Sequence, residues 1–380
     1  MEKSLKILGN GQVWDLKGIL PATPQKTFED LFSGRALGRM ARGNRKIFSR
    51  FKEKGKITGL SVTKALLSRK PQARRMALML LEDLAKNAAL GIEALTEGKG
   101  IKEKWLDKER RYWRNLDSVV IGGGVSEGAT GRILVTLIKR HLSKNGHFHI
   151  QVHQARFPGK EAGFLGALIN ILEVICNEGK RKGLEKIAAV GLDLGREEIG
   201  VGLLAIETDS GRIILSKKKQ PWLIQYSVKT PYQRQLKIFL DARRDYTKRE
   251  RIKGGQIRGL ILKRIANLIV QALNKTQELG LVCSGNIGVA IPGAPSADGF
   301  IIDSTNYLPF FRKQDGFNFA RALAETLNKR GLSGYRAHLI NDGIAAGIAN
   351  TYFDFPKIRR GKFAFLGVGS GLGGCVGLKG

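Results

Sequence analysis

The chain has 380 residues, 42% hydrophobic and 26% charged, enough for two domains with a substantial core and too apolar for a disordered chain. Its apolar runs fall short of the ~20 residues that cross a bilayer, and MEKSLKILGNGQVWDLKG has neither the apolar core nor the cleavage site of a signal peptide, so a cytoplasmic protein without a membrane partner is expected. The extreme value is the formal net charge of +32, spread over Arg35 to Lys56, Arg69 to Arg75, Lys102 to Arg114, Lys217 to Lys219 and Arg243 to Lys253, which leaves open solvated helix faces or nonspecific polyanion binding.

In chain order, residues 1–26 read as irregular, broken by Pro21 and Pro24. Thr27-Phe28-Glu29-Asp30 reads as a helix start, Thr27 capping and the carboxylates facing the positive end of the helix dipole, ahead of Phe28, Leu31, Phe32, Leu37 and Met40. Pro71 opens a long core-facing helix with apolar positions from Ala73 to Leu95. A short strand, Asp117 to Ile121, ends in Gly122-Gly123-Gly124 and is followed by a helix from Gly131 to Leu142. Strand, glycine turn and helix let backbone approach a phosphate or a flat ring, or simply make a tight turn. A strand from Phe148 to Val152 and a helix from Ala162 to Cys176 follow. His147, His149 and His153 would share a strand face; without an acidic or cysteine partner they read as solvent-facing or core histidines, not a metal site. Cys176, Cys283 and Cys375 stand far apart in apolar settings and read as buried free thiols.

Ala188 to Leu215 reads as three antiparallel strands, with Asp193-Leu194-Gly195 at the end of the first. A carboxylate beside a glycine there could hold a hydrated cation next to phosphate oxygens, although Asp-x-Gly also occurs in plain hairpins. Beyond a basic stretch, Lys217 to Gly255, comes a helix from Ile257 to Leu273, then a buried strand, Ile287 to Ile291, stopped by Pro292-Gly293. A hairpin at Ser296 to Gly299 leads to Asp303-Ser304-Thr305-Asn306, a helix from Phe319 to Leu327 and a strand, His338 to Ile340. That strand ends at Asn341-Asp342, just before a small-residue helix, Gly343 to Asn350. Asp342 could accept a proton from a hydroxyl that the neighbouring amide holds, or could cap the helix. The last strand, Phe363 to Leu366, runs into Gly367 to Gly374, where unobstructed N–H groups suit phosphate and a flexible tail is the alternative. Strands alternating with helices predict an α/β protein of two domains.

These segments together resemble the ROK sugar kinases of the actin-like, hexokinase-like ATPase superfamily. GLDLGREEIGVGLL is similar to the family's first phosphate motif, and IGVAIPG, TNYLPFF, INDGIAAG and LGVGSGLGG follow in the family's order. TFEDLFSGRAL, VVIGGGVSEG and the helix near Gly163 resemble segments that normally come after the second phosphate loop. The resemblance therefore implies a two-lobed actin-like, ribonuclease H-like fold in circularly permuted order, the cut lying between Gly380 and Met1. Residues 160–335 would form the smaller lobe, and residues 1–159 and 336–380 the larger.

The resemblance further implies ATP and Mg²⁺ in a cleft between lobes, with a sugar hydroxyl attacking the γ-phosphate. Asp342 would be the general base, Asn341, Asn306 and Glu29 would hold the sugar, and Asp193 would place Mg²⁺ through water. Asp193 and Gly195 would belong to the first phosphate loop, Gly369, Ser370 and Gly371 would cradle phosphate, and Gly122, Gly123 and Gly124 would line the adenosine. The partners implied are the sugar and the nucleotide, with a homodimer as one arrangement.

Three departures stand against this pattern. Arg196-Glu197-Glu198 replaces Gly-Thr-Lys, and the E-x-G-H sugar motif is missing. The zinc loop is missing as well, Thr27 standing where its last cysteine would be, so zinc is not expected. They leave a second reading of a different class, a noncatalytic relative that senses a ligand or docks polyanions on its basic surface.

Overall fold

The computed structural model describes residues 5–7, 28–53, 55–97, 113–157, 159–195, 198–214, 223–229, 247–303, 311, 313–354, 361–368 and 372–379. Among the residues singled out above, Pro21, Pro24, Thr27, Arg196, Glu197, Ser304, Thr305, Asn306, Gly369, Ser370 and Gly371 lie outside them, as do 102–112, 217–219 and 241–246 of the basic stretches, and so does the side chain of Glu29. The elements run β1 (Leu5–Ile7), α1 (Phe28–Leu31), α2 (Gly34–Gly43), α3 (Arg45–Phe48), α4 (Gly59–Leu66), α5 (Pro71–Glu97), β2 (Ser118–Gly122), α6 (Gly128–Lys144) and β3 (Gln151–Gln154). They continue with α7 (Gly159–Asn170), α8 (Leu172–Arg181), β4 (Lys186–Leu194), β5 (Glu198–Glu207), β6 (Ile213–Ile214), β7 (Ile224–Lys229), α9 (Lys248–Glu278), β8 (Cys283–Ile291), β9 (Ala294–Pro295) and β10 (Ile301–Asp303). The last are α10 (Phe319–Asn328), β11 (Arg336–Asn341), α11 (Asp342–Asp354), β12 (Gly361–Val368) and β13 (Leu372–Lys379). The protein is a mixed α/β chain in two compact units, one of Met1–Gly159 with Asn350–Gly380, the other of Lys160–Ala349.

The first unit holds a five-stranded sheet in the order β1-β13-β12-β2-β3. The neighbours β1, β13 and β12 pair antiparallel, while β12, β2 and β3 run parallel. Its core joins Val119 and Ile121 of β2, Leu134 and Ile138 of α6 and the apolar face of α5 from Ala73 to Leu95. In the second unit the order is β11-β8-β4-β5-β6, with β7 also on β5. Here β4, β8 and β11 are parallel, and β5 is antiparallel both to β4 and to the short pieces β6 and β7. Ile257 to Leu273 of α9 packs on this sheet with Leu192, Val201 and Val289. Each sheet thus sets two parallel strands on one side of a central strand and antiparallel partners on the other.

Several elements depart from the periodicity. The expected single helix from Thr27 breaks at Phe32-Ser33, because the Ser33 hydroxyl accepts the Ala36 N–H at 3.1 Å and starts a new helix at Gly34. The expected helix Ala162–Cys176 is two helices, α7 and α8, meeting at Ile171 with a bend of 56°. β3 begins at Gln151, not Phe148, and its pairing with β2 starts at Ser118↔Gln151. His147 and His149 therefore precede the strand, and the expectation of no acidic neighbour is corrected too, since His147 Nε2 lies 3.2 Å from Glu97 Oε1. Part of the glycine run Gly367–Gly374 is sheet, with Gly367↔Gly373 and Val368↔Leu372 paired across the β12–β13 hairpin. The boundary expected at 335/336 falls at 349/350, because β11 is hydrogen-bonded along its whole length to β8 of the second unit. Among the described residues no single helix is long and apolar enough to cross a membrane.

Candidate functional site

In an open sheet, parallel strands present their carboxyl ends at one edge, where ligands bind. In the second unit the registers Asp193↔Ala290 and Ile340↔Ala290 put Asp193 level with the last turn of β11, and Asn341↔Ile291 carries Asn341-Asp342 just beyond. The chain leaves β8 through Pro292-Gly293 at the same edge. One strand, β8, separates β4 from β11, so Asp193 and Asp342 stand about two strand spacings, roughly 10 Å, apart across the sheet.

Asn341 is 8% exposed and its amide is engaged at both ends. Its Oδ1 accepts the N–H groups of Gly343 at 3.0 Å and Ile344 at 3.1 Å, capping α11, while its Nδ2 donates to the Gly293 carbonyl at 2.9 Å. Asn341 thereby ties the turn after β8 to the start of α11. The capping role weighed for Asp342 is filled by its neighbour. Asp342 Oδ1 takes one N–H, that of Gly343 at 2.8 Å, and its side chain remains exposed.

The protein around Asp342 nevertheless desolvates its carboxyl, and this pushes the pKa up to about 6 against the opposing pull of the Gly343 and Asp342 N–H groups. A carboxylate that titrates just below neutrality is ionised at pH 7 and still basic enough to take a proton. The amino end of α11 adds positive potential beside it.

Asp193 is half-buried at the end of β4. A Cβ on Gly163 of α7 would come within 2.6–2.9 Å of its carboxyl carbon and oxygens, so the helix backbone passes directly against the carboxylate. The hairpin behind it closes through a bond from the Gly195 N–H to the Glu198 carbonyl at 3.0 Å. One such oxygen donor fits Mg²⁺ held through water with phosphate oxygens, since the ion keeps most of its hydration shell. Among the described residues no group of three or more His, Cys, Asp or Glu side chains could hold a metal ion.

In the first unit, Gly122 ends β2 and Gly123 adopts φ +83°, with its Cα against Val368, the last residue of β12; a Cβ there would sit 2.7–2.8 Å from the Val368 backbone. Only glycine fits that position. A Cβ on Gly124 meets nothing within 4 Å. The Gly122–Gly124 turn therefore lies beside the strand that leads to Gly369.

The sequence reading missed Gly163 and Gly293. A glycine inside a helix costs up to about 1 kcal/mol against alanine, so Gly163 and Gly166, one turn apart in α7, were a legible sign of close approach. Nothing in the sequence marks the Gly293 carbonyl as the acceptor for Asn341. No protein-family model matches this chain, and no curated protein does.

Proposed function

We propose that the protein is an ATP-dependent kinase that phosphorylates a hydroxyl of a sugar or sugar-like acceptor, on an actin-like fold whose first unit is circularly permuted. The observation that carries the reading is Asn341-Asp342 at the carboxyl edge of β4, β8 and β11, with the cap supplied by Asn341 and Asp342 left exposed. The repeated strand order supports the fold. Taken from β12 through β13 and on to β1, β2 and β3, the first sheet reads 3-2-1-4-5; from β4 onward the second reads 5-4-1-2-3, β6 and β7 together filling the third place. Two such lobes are what an actin-like ATPase implies. Reaching that order in the first unit requires joining the last strand to the first, which is the permutation.

In this mechanism the acceptor hydroxyl passes its proton to Asp342 as its oxygen bonds to the γ-phosphorus, and the bond from that phosphorus to the bridging oxygen breaks to release ADP. Mg²⁺ bound with the nucleotide supplies charge neutralisation on the phosphates. Asp193 would hold that ion through water, and Asn341 fixes the helix start that aims Asp342. In the first unit, Gly124 leaves backbone clear for the adenosine, while Gly122 and Gly123 pack against Phe365 and Val368. Positioning and electrostatic stabilisation supply the rate. The test is ADP release with ATP, Mg²⁺ and a panel of hexoses and amino sugars. Acceptor-dependent ADP is expected; ADP formation that no member of the panel stimulates counts against the reading.

A further inference from the structure

Residues 34–75 carry fourteen Lys and Arg against a single acid, Glu53. By contrast, residues 76–97 and 113–157 of the same unit hold seven bases against six acids, so the excess is uneven along this unit, although other basic stretches contribute to the net charge of +32. The segment folds into α2, α3, α4 and the start of α5, helices that pack on one another. Every one of the basic side chains described there is exposed, from Arg35 to Arg75. On α2 the buried positions Ala36, Leu37 and Ala41 leave Arg35, Arg39 and Arg42 as the outward stripe.

A compact segment of this length has a radius of gyration of roughly 9 Å. The Debye length at physiological salt is about 8 Å, so a phosphate on this surface feels mainly the charges of the nearest helices. Among the described residues, Lys64 meets Glu53, Arg39 lies 3.7 Å from Asp30 outside the segment, and Arg35 is engaged as well. Eight of the fourteen are Arg, whose planar fork matches phosphate oxygens in pairs. An anionic membrane fits less well. Leu60 and Leu67, 51% and 65% exposed, are the large apolar side chains these helices offer, too small a face for interfacial insertion.

We propose that the helical cluster formed by α2–α4 and the start of α5 is a docking surface for the phosphodiester backbone of nucleic acid. It stands apart from the kinase reading and holds whether or not the chain transfers phosphate. Recognition is by charge, without base contacts, so duplex and single strand both bind.

The experiment is fluorescence anisotropy with a labelled 25-base-pair duplex and a single strand of the same length, across 50–200 mM salt. Four or five phosphate contacts predict a Kd that weakens by about 100–500-fold over that range. The variant Arg45→Gln/Lys46→Gln/Arg50→Gln removes charge without touching the buried face; its salt slope is expected to fall by about 3, with binding at 50 mM weaker by about tenfold or more. A matched variant on α6, Arg132→Gln/Lys139→Gln/Lys144→Gln, is expected to bind like the wild type. Equal weakening by both triples would mean attraction by net charge alone and would overturn the proposal. So would absence of binding at 50 mM, or binding confined to anionic vesicles offered in parallel. Circular dichroism of both variants confirms that each is folded.

Discussion

At the scale of single residues, two adjacent positions divide the work. Asn341 satisfies the first N–H groups of α11 and anchors Gly293, which in the proposed mechanism frees Asp342 for a proton. Because the Asp342 carboxyl is shifted up to about 6, it is protonated below that pH; kcat/KM should therefore fall tenfold per pH unit on the acid side, with the limb near pH 6. The stability consequence has the opposite sign. A carboxyl whose pKa is raised by folding contributes stability at low pH that is lost as the pH rises through about 6. Asp342→Asn should thus melt higher than the wild type at pH 8, read by calorimetry, although it removes the proposed base. A lower melting temperature would mean that the ionised carboxylate holds the fold together. Glu178 behaves the other way. It is 8% exposed, and although burial raises its pKa, the Gly285 N–H at 3.0 Å, the Lys182 Nζ at 2.6 Å, the Ser284 hydroxyl and the Asn286 Nδ2 at 2.8 Å together bring it down to about 2. Its stabilising contribution, about 3 kcal/mol, is present above its unfolded value and lost as the pH falls toward 2. Glu178→Ala should lose about that much in urea unfolding at pH 7, and the gap to the wild type should narrow below pH 4.5.

At the scale of elements, α7 shows how small residues set the site. Gly191, Gly202 and Gly288 of the sheet accept Phe164 and Ala167 of α7 at distances that leave no room for a side chain. On the helix itself, Gly163 lies against Asp193, and a Cβ on Gly166 would come 1.7 Å from the Ala345 carbonyl of α11. Gly166→Ala should push α7 from α11 and cost about 1–3 kcal/mol, seen in urea unfolding. An unchanged midpoint would show that the contact is loose. Periodicity made α5, α9, α10 and the strands β4, β5, β6, β8 and β11 of the second sheet legible, because each buries a face with a clear repeat, whereas β7 lay unread in the basic stretch Lys217 to Gly255. It could not see the break at Ser33, where one hydroxyl outweighs a continuous apolar pattern, nor the bend at Ile171. It read the apolar Phe148-His149-Ile150 as strand, although pairing with β2 begins only at Gln151. The site was legible in part. Asp193 and Asn341-Asp342 stood out as polar residues at strand ends, whereas the partners that hold Asn341 are a backbone carbonyl and two N–H groups, which no side-chain pattern records.

At the scale of the whole molecule, the repeated strand order and the concentration of positive charge are separate facts with separate tests. A kinase of this kind binds its nucleotide in the folded state only. A nonhydrolysable ATP analogue with Mg²⁺ at about 100 times its Kd should add about 2.7 kcal/mol and raise the melting temperature by roughly 3–4 °C, an effect that chelating the metal should reduce. The central claim is that Asp342 takes the proton from the acceptor. The most direct measurement is acceptor-dependent ADP release by the wild type and by Asp342→Asn at saturating ATP and Mg²⁺, with nucleotide affinity measured alongside. The account predicts a loss of about 10²–10⁴-fold in kcat with nucleotide affinity unchanged. Turnover by Asp342→Asn equal to that of the wild type would contradict it.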